Sequence, residues 1–465
     1  MRRLSKYLGL LLLGSLFCSA SYGQDLYTIL ELALENDPTL RQAEAVYRAN
    51  RENLNQSRSA LLPSLGVGGS TSRVTSGPAD DVFRDITNPV TGETVSTLVQ
   101  PAHSYANGLN NHGWGLNLNQ SVINLSNWYT FQSARASDRA AAINLAAQEQ
   151  DLIMRVAMAY FDVLRAQELL ETNLQEEEAA LRSLEQTRQR EEVGLVAITD
   201  VFDSQAAYDL ARNTTILQRD LLRSRFEALE AITGQPHGDI DELRADFPIL
   251  EVDGSLIAWE DQAEDNSLAI AAARYNLDAS RKTLRARKSD HLPTVDIAGV
   301  YGHNVTAPIV SQGIVIGGGA FDRTSLALSV SIPLYSGGAV SARRRQAEQN
   351  VVAAQESLEL TKRQLTQSIR NAYRRVNTDV LVIDQRQQSI NSAQLALDAT
   401  ELGAEVGTRN IVEVLRAREN LFRALRQYAD ARFDYVLDTL VLKQVAGILT
   451  PEDIIQLNEW LQGEG

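Results

Sequence analysis

Two glycines, Gly194 and Gly407, interrupt long helical stretches, and the polar and charged residues just beyond them are the ones best placed to do chemistry. Thr199 and Asp200 follow the first, and Arg409, Glu413 and Arg416 follow the second. Spaced three and four apart on a helix, such groups pair or share a face. As ordinary solvated surface, a pair of this kind contributes about 0 to 1 kcal/mol. If copies of the chain gather around an axis, however, Glu413 becomes a ring of carboxylates, and a charged ring in a narrow pore selects by charge. Nothing here points to catalysis. There is no nucleophile elbow, phosphate loop or HExxH motif. The single cysteine, Cys18, excludes a CxxC pair or thiolate cluster. His103, His112 and His303 lack ligand spacing, so no metal or cofactor is expected.

The elements that must position these residues are long. Residues 125–191 and 336–403 read as helix almost free of Gly and Pro, each about 100 Å at ~1.5 Å per residue, which is too long for a globular domain. A return helix over 198–233 makes the first reversal a helical hairpin with its tip near 194; the second tip lies near 407. Glycine supplies the backbone freedom that a tight turn requires. Leu152, Val156, Tyr160, Val163 and Leu170 form a narrow apolar stripe that predicts a coiled-coil seam rather than a buried core helix.

The chain is duplicated. Arg58 to Leu65 recurs as Lys288 to Val295, an offset of 230, while Val156, Ala159 and Tyr160 recur as Ile369, Ala372 and Tyr373, an offset of 213. Gly194, Ile198, Asp200 and Val201 recur as Gly407, Ile411, Glu413 and Val414, also at 213. The first copy therefore carries about 17 extra residues, expected as a longer loop within 74–112. Residues 24–235 are read as the first repeat and 266–450 as the second. Between them 236–265 is an acidic connector, with ten carboxylates and one arginine from Asp239 to Asp265, and 451–465 is a C-terminal segment.

In each copy a helix (38–61 and 266–291) ends before Pro63 or Pro293, and a strand pair follows, about 63–124 and 293–335. Trp114, Leu116, Leu118 and Val122 alternate with Gly115, Asn117, Asn119 and Ser121. Leu326, Leu328, Val330, Ile332 and Leu334 repeat the pattern against Ala327, Ser329, Ser331 and Pro333. Such strands suit a small sandwich edge or separate hairpins, or a membrane barrel that is apolar outside and polar within. The N-terminus favours the barrel. Arg2, Arg3 and Lys6 precede the apolar run Leu8–Phe17, and small residues at Ser21 and Gly23 mark cleavage before Gln24, so 1–23 reads as a secretory signal. Phe17 before Cys18 argues against a lipid anchor. Removing three of the 44 basic residues leaves 41 against 59 acids, a net charge of -18, which argues against a nucleic-acid partner. No later stretch approaches the roughly 18–20 apolar residues of a spanning helix, so strands must do any crossing. Four strands cannot close a barrel. Three copies supply twelve strands, and the expected fold is an α+β membrane protein: a trimeric twelve-stranded β-barrel continued by a long α-helical coiled-coil barrel.

Several motifs in this order resemble the TolC family of bacterial outer-membrane efflux ducts, over essentially all of the chain after the signal and closer to the branch without a lipid anchor. They are Leu61-Leu62-Pro63, Gln120-Ser121-Val122, Ser126-Asn127-Trp128, Val193 to Val201, His291 to Thr294, Ile332 to Tyr335 with Gly337-Gly338, and Val406 to Arg409 with Ile411-Val412. The resemblance implies a homotrimer in outer-membrane lipid, extending into the periplasm and docked on a periplasmic adaptor (membrane fusion protein) and an inner-membrane pump or ABC transporter. It would export small toxic molecules or, in type I secretion, proteins. The resemblance also implies that Val193, Gly194, Leu195, Val406, Gly407 and Thr408 are the tips an adaptor contacts. In it Arg409 ties neighbouring hairpins through Thr199 and Asp200, and Glu413 forms the pore constriction. Glu405 stands where the family has a tyrosine of the closing network, and Arg416 where it has a second constriction aspartate. The histidines fall in segments expected at the outer mouth. The alternative is a periplasmic coiled-coil adaptor of an export complex, which should lack the duplicated strand pairs; an enzyme on a helical repeat lacks a catalytic cluster.

Overall fold

The computed structural model describes residues 24–75, 82–100, 108–311 and 314–462. The expected signal at 1–23 and His103 lie outside the described residues. Along the chain, α1 (Leu26–Asn36) and α2 (Pro38–Ser59) lead into β1 (Ser64–Val74), a hairpin of β2 (Val82–Thr87) and β3 (Thr94–Gln100), and β4 (Leu109–Ile123). The first helical hairpin is α3 (Leu125–Glu192) and α4 (Ile198–Thr233), followed by β5 (Glu242–Leu243). The second copy runs α5 (Leu256–Asn266), α6 (Leu268–Ser289), β6 (Thr294–Thr306), β7 (Ile309–Ser311), β8 (Ile314–Ile316), β9 (Gly319–Ser331), α7 (Ala339–Glu405) and α8 (Ile411–Val445). Short α9 (Pro451–Asn458) and β10 (Leu461–Gln462) end it.

Three sequence expectations change. The extra length of the first copy is not bare loop, because β2 and β3 pair within it, with Gly92 at φ +72° beside their turn. The acidic connector is not simply solvated either: β5 pairs with β10, and Ser255 caps α5 by accepting from the Ala258 N–H. α5 stands 230 residues after α1, the same offset that separates α6 from α2, so a repeated helix begins inside the stretch read as connector. Finally, β9 ends at Ser331 rather than near 335, since Pro333 has no N–H to give a ladder.

Among the described residues, 24–46, Ile143–Ala271 and 360–462 form one compact unit. Its core gathers Tyr160, Phe161 and Phe433 with Leu26, Ile29, Leu30, Leu152, Val156, Leu229 and Ile369. Here α3 is more than a seam. Ile153, Met154, Ala157, Phe161 and Leu164 are buried as well as Leu152, Val156, Tyr160 and Val163, because several other elements close around this stretch. Burial pushes the Tyr160 hydroxyl well above its usual range, and it donates to the Asp241 carbonyl at 2.7 Å. On α7 the buried set Ile369, Ala372, Val376 and Ile383 keeps the three- and four-residue spacing of a seam. Asp37 separates α1 from α2; its carboxylate accepts from the Leu40 N–H at 2.8 Å and from Arg155 at 2.8 Å, which holds it below the usual range against the opposing effect of burial.

The described residues within Tyr47–Ala142 and Ala272–Glu359 form the other unit. It contains a four-stranded antiparallel sheet in the order β1-β4-β6-β9, so the two repeats pair through β4 and β6 and leave β1 and β9 as edges. Ser133 Oγ reaches the Ala279 carbonyl at 2.8 Å and ties α3 to α6 beside it. Among the described residues no helix is long and apolar enough to cross a membrane.

Candidate functional site

Antiparallel register puts directly opposed residues on one face, so the sheet can be read as rows. One row is Leu65, Leu118, Gly299 and Leu326; the next toward the loops is Val67, Leu116, Tyr301 and Thr324. Toward the helices, Ile297 opposes Leu328 and Val295 opposes Val330. Apart from Gly299 and Thr324, these rows carry apolar or aromatic side chains on one face, and Leu326, Leu328 and Val330 are 78%, 68% and 62% exposed. The opposite face is small and polar, with rows such as Gly66, Asn117, Val300 and Ser325. A contiguous apolar face of this extent is not a water-facing surface. The expected faces of β4 therefore hold for Trp114 to Asn119. Val122 departs, because a bulge between Ser121 and Ile123 lifts it out of the ladder and pairs Ile123 with Val295.

Near the loop end of the apolar face, Trp114 lies 5.5 Å from Tyr301 and 6.2 Å from His303. The two described histidines expected at the mouth bind strand neighbours rather than each other: His303 Nδ1 meets Asp322 at 2.7 Å and His112 Nδ1 meets Thr71 Oγ1 at 2.8 Å. Amphipathic aromatic rings in this position suit the boundary of a lipid layer.

In the other unit, each helical hairpin reverses through one glycine in the left-handed region. Gly194 has φ +75° and Gly407 φ +80°, and a Cβ on either would meet nothing within 4 Å, so backbone conformation rather than space selects glycine. At the first tip the Leu195 N–H donates to the Arg190 carbonyl at 2.8 Å. At the second the Gly403 carbonyl accepts from the Thr408 N–H at 2.8 Å, the Arg409 N–H at 3.1 Å and Thr408 Oγ1 at 3.0 Å. Both tips project bare apolar groups: Val193, Leu195 and Val406 are each about two-thirds or more exposed.

The charged residues are placed as follows. Asn410 caps α8 by accepting from the Glu413 N–H at 2.9 Å, and Arg409 Nη1 pairs with Glu413 Oε2 at 2.7 Å, so the backbone N–H and the carboxylate of Glu413 each have a partner. Within the chain Arg409 is thus brought to Glu413, and not to exposed Thr199 or half-buried Asp200 in the first turn of α4. Glu405 is the exposed last residue of α7 and lines a groove of about 430 Å³ with Arg182, Arg190, Glu401 and Arg418. Arg416 lines a separate groove beside Leu210, Ala211 and Glu419.

Sequence reasoning passed over two arginines that join the hairpins. Arg418 donates to the Ala179 carbonyl at 2.9 Å and pairs with Glu401 at 2.6 Å, linking α3, α7 and α8. Two turns on, Arg426 reaches Asn173 at 3.0 Å and also pairs with Glu176. Arg418, four residues after the apolar Val414, falls near the same face of α8, which is the signal available in the sequence; Arg426 has no such signal. Further along α8, Asp379 of α7 meets Asp438 and Asp434, with Arg375 and Arg165 as the nearby bases. Burial first, then the Asp438 carboxylate, pushes the Asp379 carboxyl up to about 7.

Comparison with known proteins adds to this geometry. A family model described as outer membrane efflux protein matches residues 29–235 and 259–447. Outer membrane protein TolC of Vibrio cholerae serotype O1 is 34% identical over 445 residues, covering 96% of this chain and 95% of that protein. Proteases secretion protein PrtF of Dickeya chrysanthemi is 28% identical over 93% of this chain and 90% of its own. Among solved structures, the Campylobacter jejuni CmeC outer membrane channel superposes with a TM-score of 0.74 over 99% of this chain and 98% of that one, at 17% identity.

Proposed function

The chain belongs to the outer membrane efflux protein family, and from that premise we propose that three copies close their sheets into a twelve-stranded barrel whose polar face lines a pore. The protein is an outer-membrane channel of efflux or type I secretion, placed in the outer membrane and extending into the periplasm, in a family of channels rather than enzymes. The observation that carries the pore reading is the sheet itself, four strands with an exposed apolar face, a small polar face and two unpaired edges. Open edges are not tolerated in lipid, so β1 and β9 need partners, and neighbouring copies supply them.

The helical tips take the second role. Val193, Gly194, Leu195, Val406, Gly407 and Thr408 offer a small apolar surface to a periplasmic adaptor of an inner-membrane pump or ABC transporter. The gate is formed around Glu413, whose carboxylate Arg409 pairs with and whose backbone N–H Asn410 caps. Thr199 and Asp200 are partners for Arg409 of a neighbouring copy. Glu405 and Arg416 vary the charge beside the constriction, Arg416 setting a base one turn from the acid.

Planar-bilayer recording of the purified protein tests the proposal. A small resting conductance that rises when Arg409 is removed is expected. A protein that inserts but never conducts would rule out a pore.

A further inference from the structure

Among the paired residues of the main sheet, the polar face carries two charges, Asp296 on β6 and Arg323 on β9. Arg323 shares its row with Gly302, Gly115 and Gly68, so three of the four positions at that level have no side chain. The glycines are not all demanded by packing: a Cβ at Gly68 would meet nothing within 4 Å, and one at Gly302 would meet its nearest neighbour at an ordinary 3.5 Å. The flanking rows are Ser70, Gly113, Asn304 and Phe321 on one side and Gly66, Asn117, Val300 and Ser325 on the other, with no carboxylate in either. The neighbouring acid in sequence, Asp322, lies on the opposite face and is held by His303. Asp296 stands six residues down β6 from Gly302, about 20 Å along the strand. That exceeds the ~8 Å screening length at physiological salt. The Arg323 charge is therefore uncompensated at its own level.

We propose that Arg323 is a charge-selecting residue of the barrel lumen, where three copies form a basic ring inside a belt of bare backbone and favour anions and acidic cargo over multivalent cations. This rests on the reading that the polar face lines a trimeric pore.

The test is the reversal potential in a KCl gradient across planar bilayers, measured for the wild type, Arg323→Ser and Arg323→Lys. Removing three unit charges ~10 Å away across water at 0.1 M salt shifts potassium and chloride in opposite directions by about twofold each, so the potassium-to-chloride permeability ratio should rise about fivefold. Arg323→Lys should keep the wild-type ratio, and so should Asp322→Asn on the other face. Arg323→Cys adds a direct check, because Cys18 is the sole native cysteine and falls in the expected signal. An anionic methanethiosulfonate should raise its ratio further and a cationic one restore it. An unchanged ratio in a normally conducting Arg323→Ser pore, or a thiol that no reagent reaches, overturns the assignment. A wild type without conductance overturns the pore reading beneath it instead.

Discussion

Leu328→Arg is the substitution that presses hardest on the face assignment. Leu328 opposes Ile297, has Leu326 and Val330 two positions away on the same face, and is 68% exposed within the chain. An arginine there enters the apolar band with no side chain of its own chain to cover it. Arg on the lipid face of a membrane barrel costs about 2 to 4 kcal/mol at the midplane and about 0 to 1 kcal/mol at the interfaces. Leu328 lies between those depths, three residues from the end of β9, so the proposed trimer incurs about 3 kcal/mol or more, and at 1.4 kcal/mol per factor of ten that reduces assembly at least about 100-fold. Ser329→Arg is the matched control. Ser329 opposes Asp296 on the polar face, where an added base meets water and an acid. At equal expression, fractionation and oligomer electrophoresis should show Leu328→Arg absent from the outer membrane and Ser329→Arg present at the wild-type level. Equal amounts of both variants there would show that the faces are reversed or that the sheet does not meet lipid.

Three other outcomes are expected. Gly194→Lys, at a φ of +75° and on the exposed first tip, should abolish export while oligomer and membrane insertion persist; export at the wild-type rate would remove the tip from adaptor docking. Arg409→Ser frees Glu413 from its 2.7 Å partner and should raise resting conductance in bilayer recordings, whereas an unchanged current would take Arg409 out of the gate. Asp379→Asn should raise the melting temperature at pH 8 and change it little below about pH 4, near the ordinary aspartate pKa. The sign follows from linkage: the native carboxyl, pushed up to about 7, binds its proton more tightly than the unfolded one, so wild-type stability falls as pH rises across that window. A substitution effect that is the same at both pH values would contradict it.

Much of this architecture is written in local pattern. The alternation from Trp114 to Asn119 places the faces of β4 because a strand has a period of two, and Gly194 and Gly407 mark the reversals because they interrupt otherwise unbroken helical composition. What stayed hidden depends on distant partners. Acidic residues around Glu260 and Asp261 mask α5, whose signal is its repeat offset from α1 and whose Ala263 is buried only in the fold. The β2-β3 hairpin sits where only a length difference was visible. Arg418 reads as surface in sequence, yet its side chain is only 17% exposed because α3 and α7 close over it. The partner of Arg409 could not be read from spacing alone, since Glu413 four residues on and Thr199 and Asp200 on the other hairpin are all chemically suitable.

The central claim is that three chains complete one barrel through the edges β1 and β9. Native mass spectrometry of the protein extracted from outer membranes in mild detergent measures this directly. The expected result is a single assembly of three times the mature chain mass, beginning at Gln24. A stable monomer recovered from the outer membrane, or an assembly with another number of copies, would contradict it.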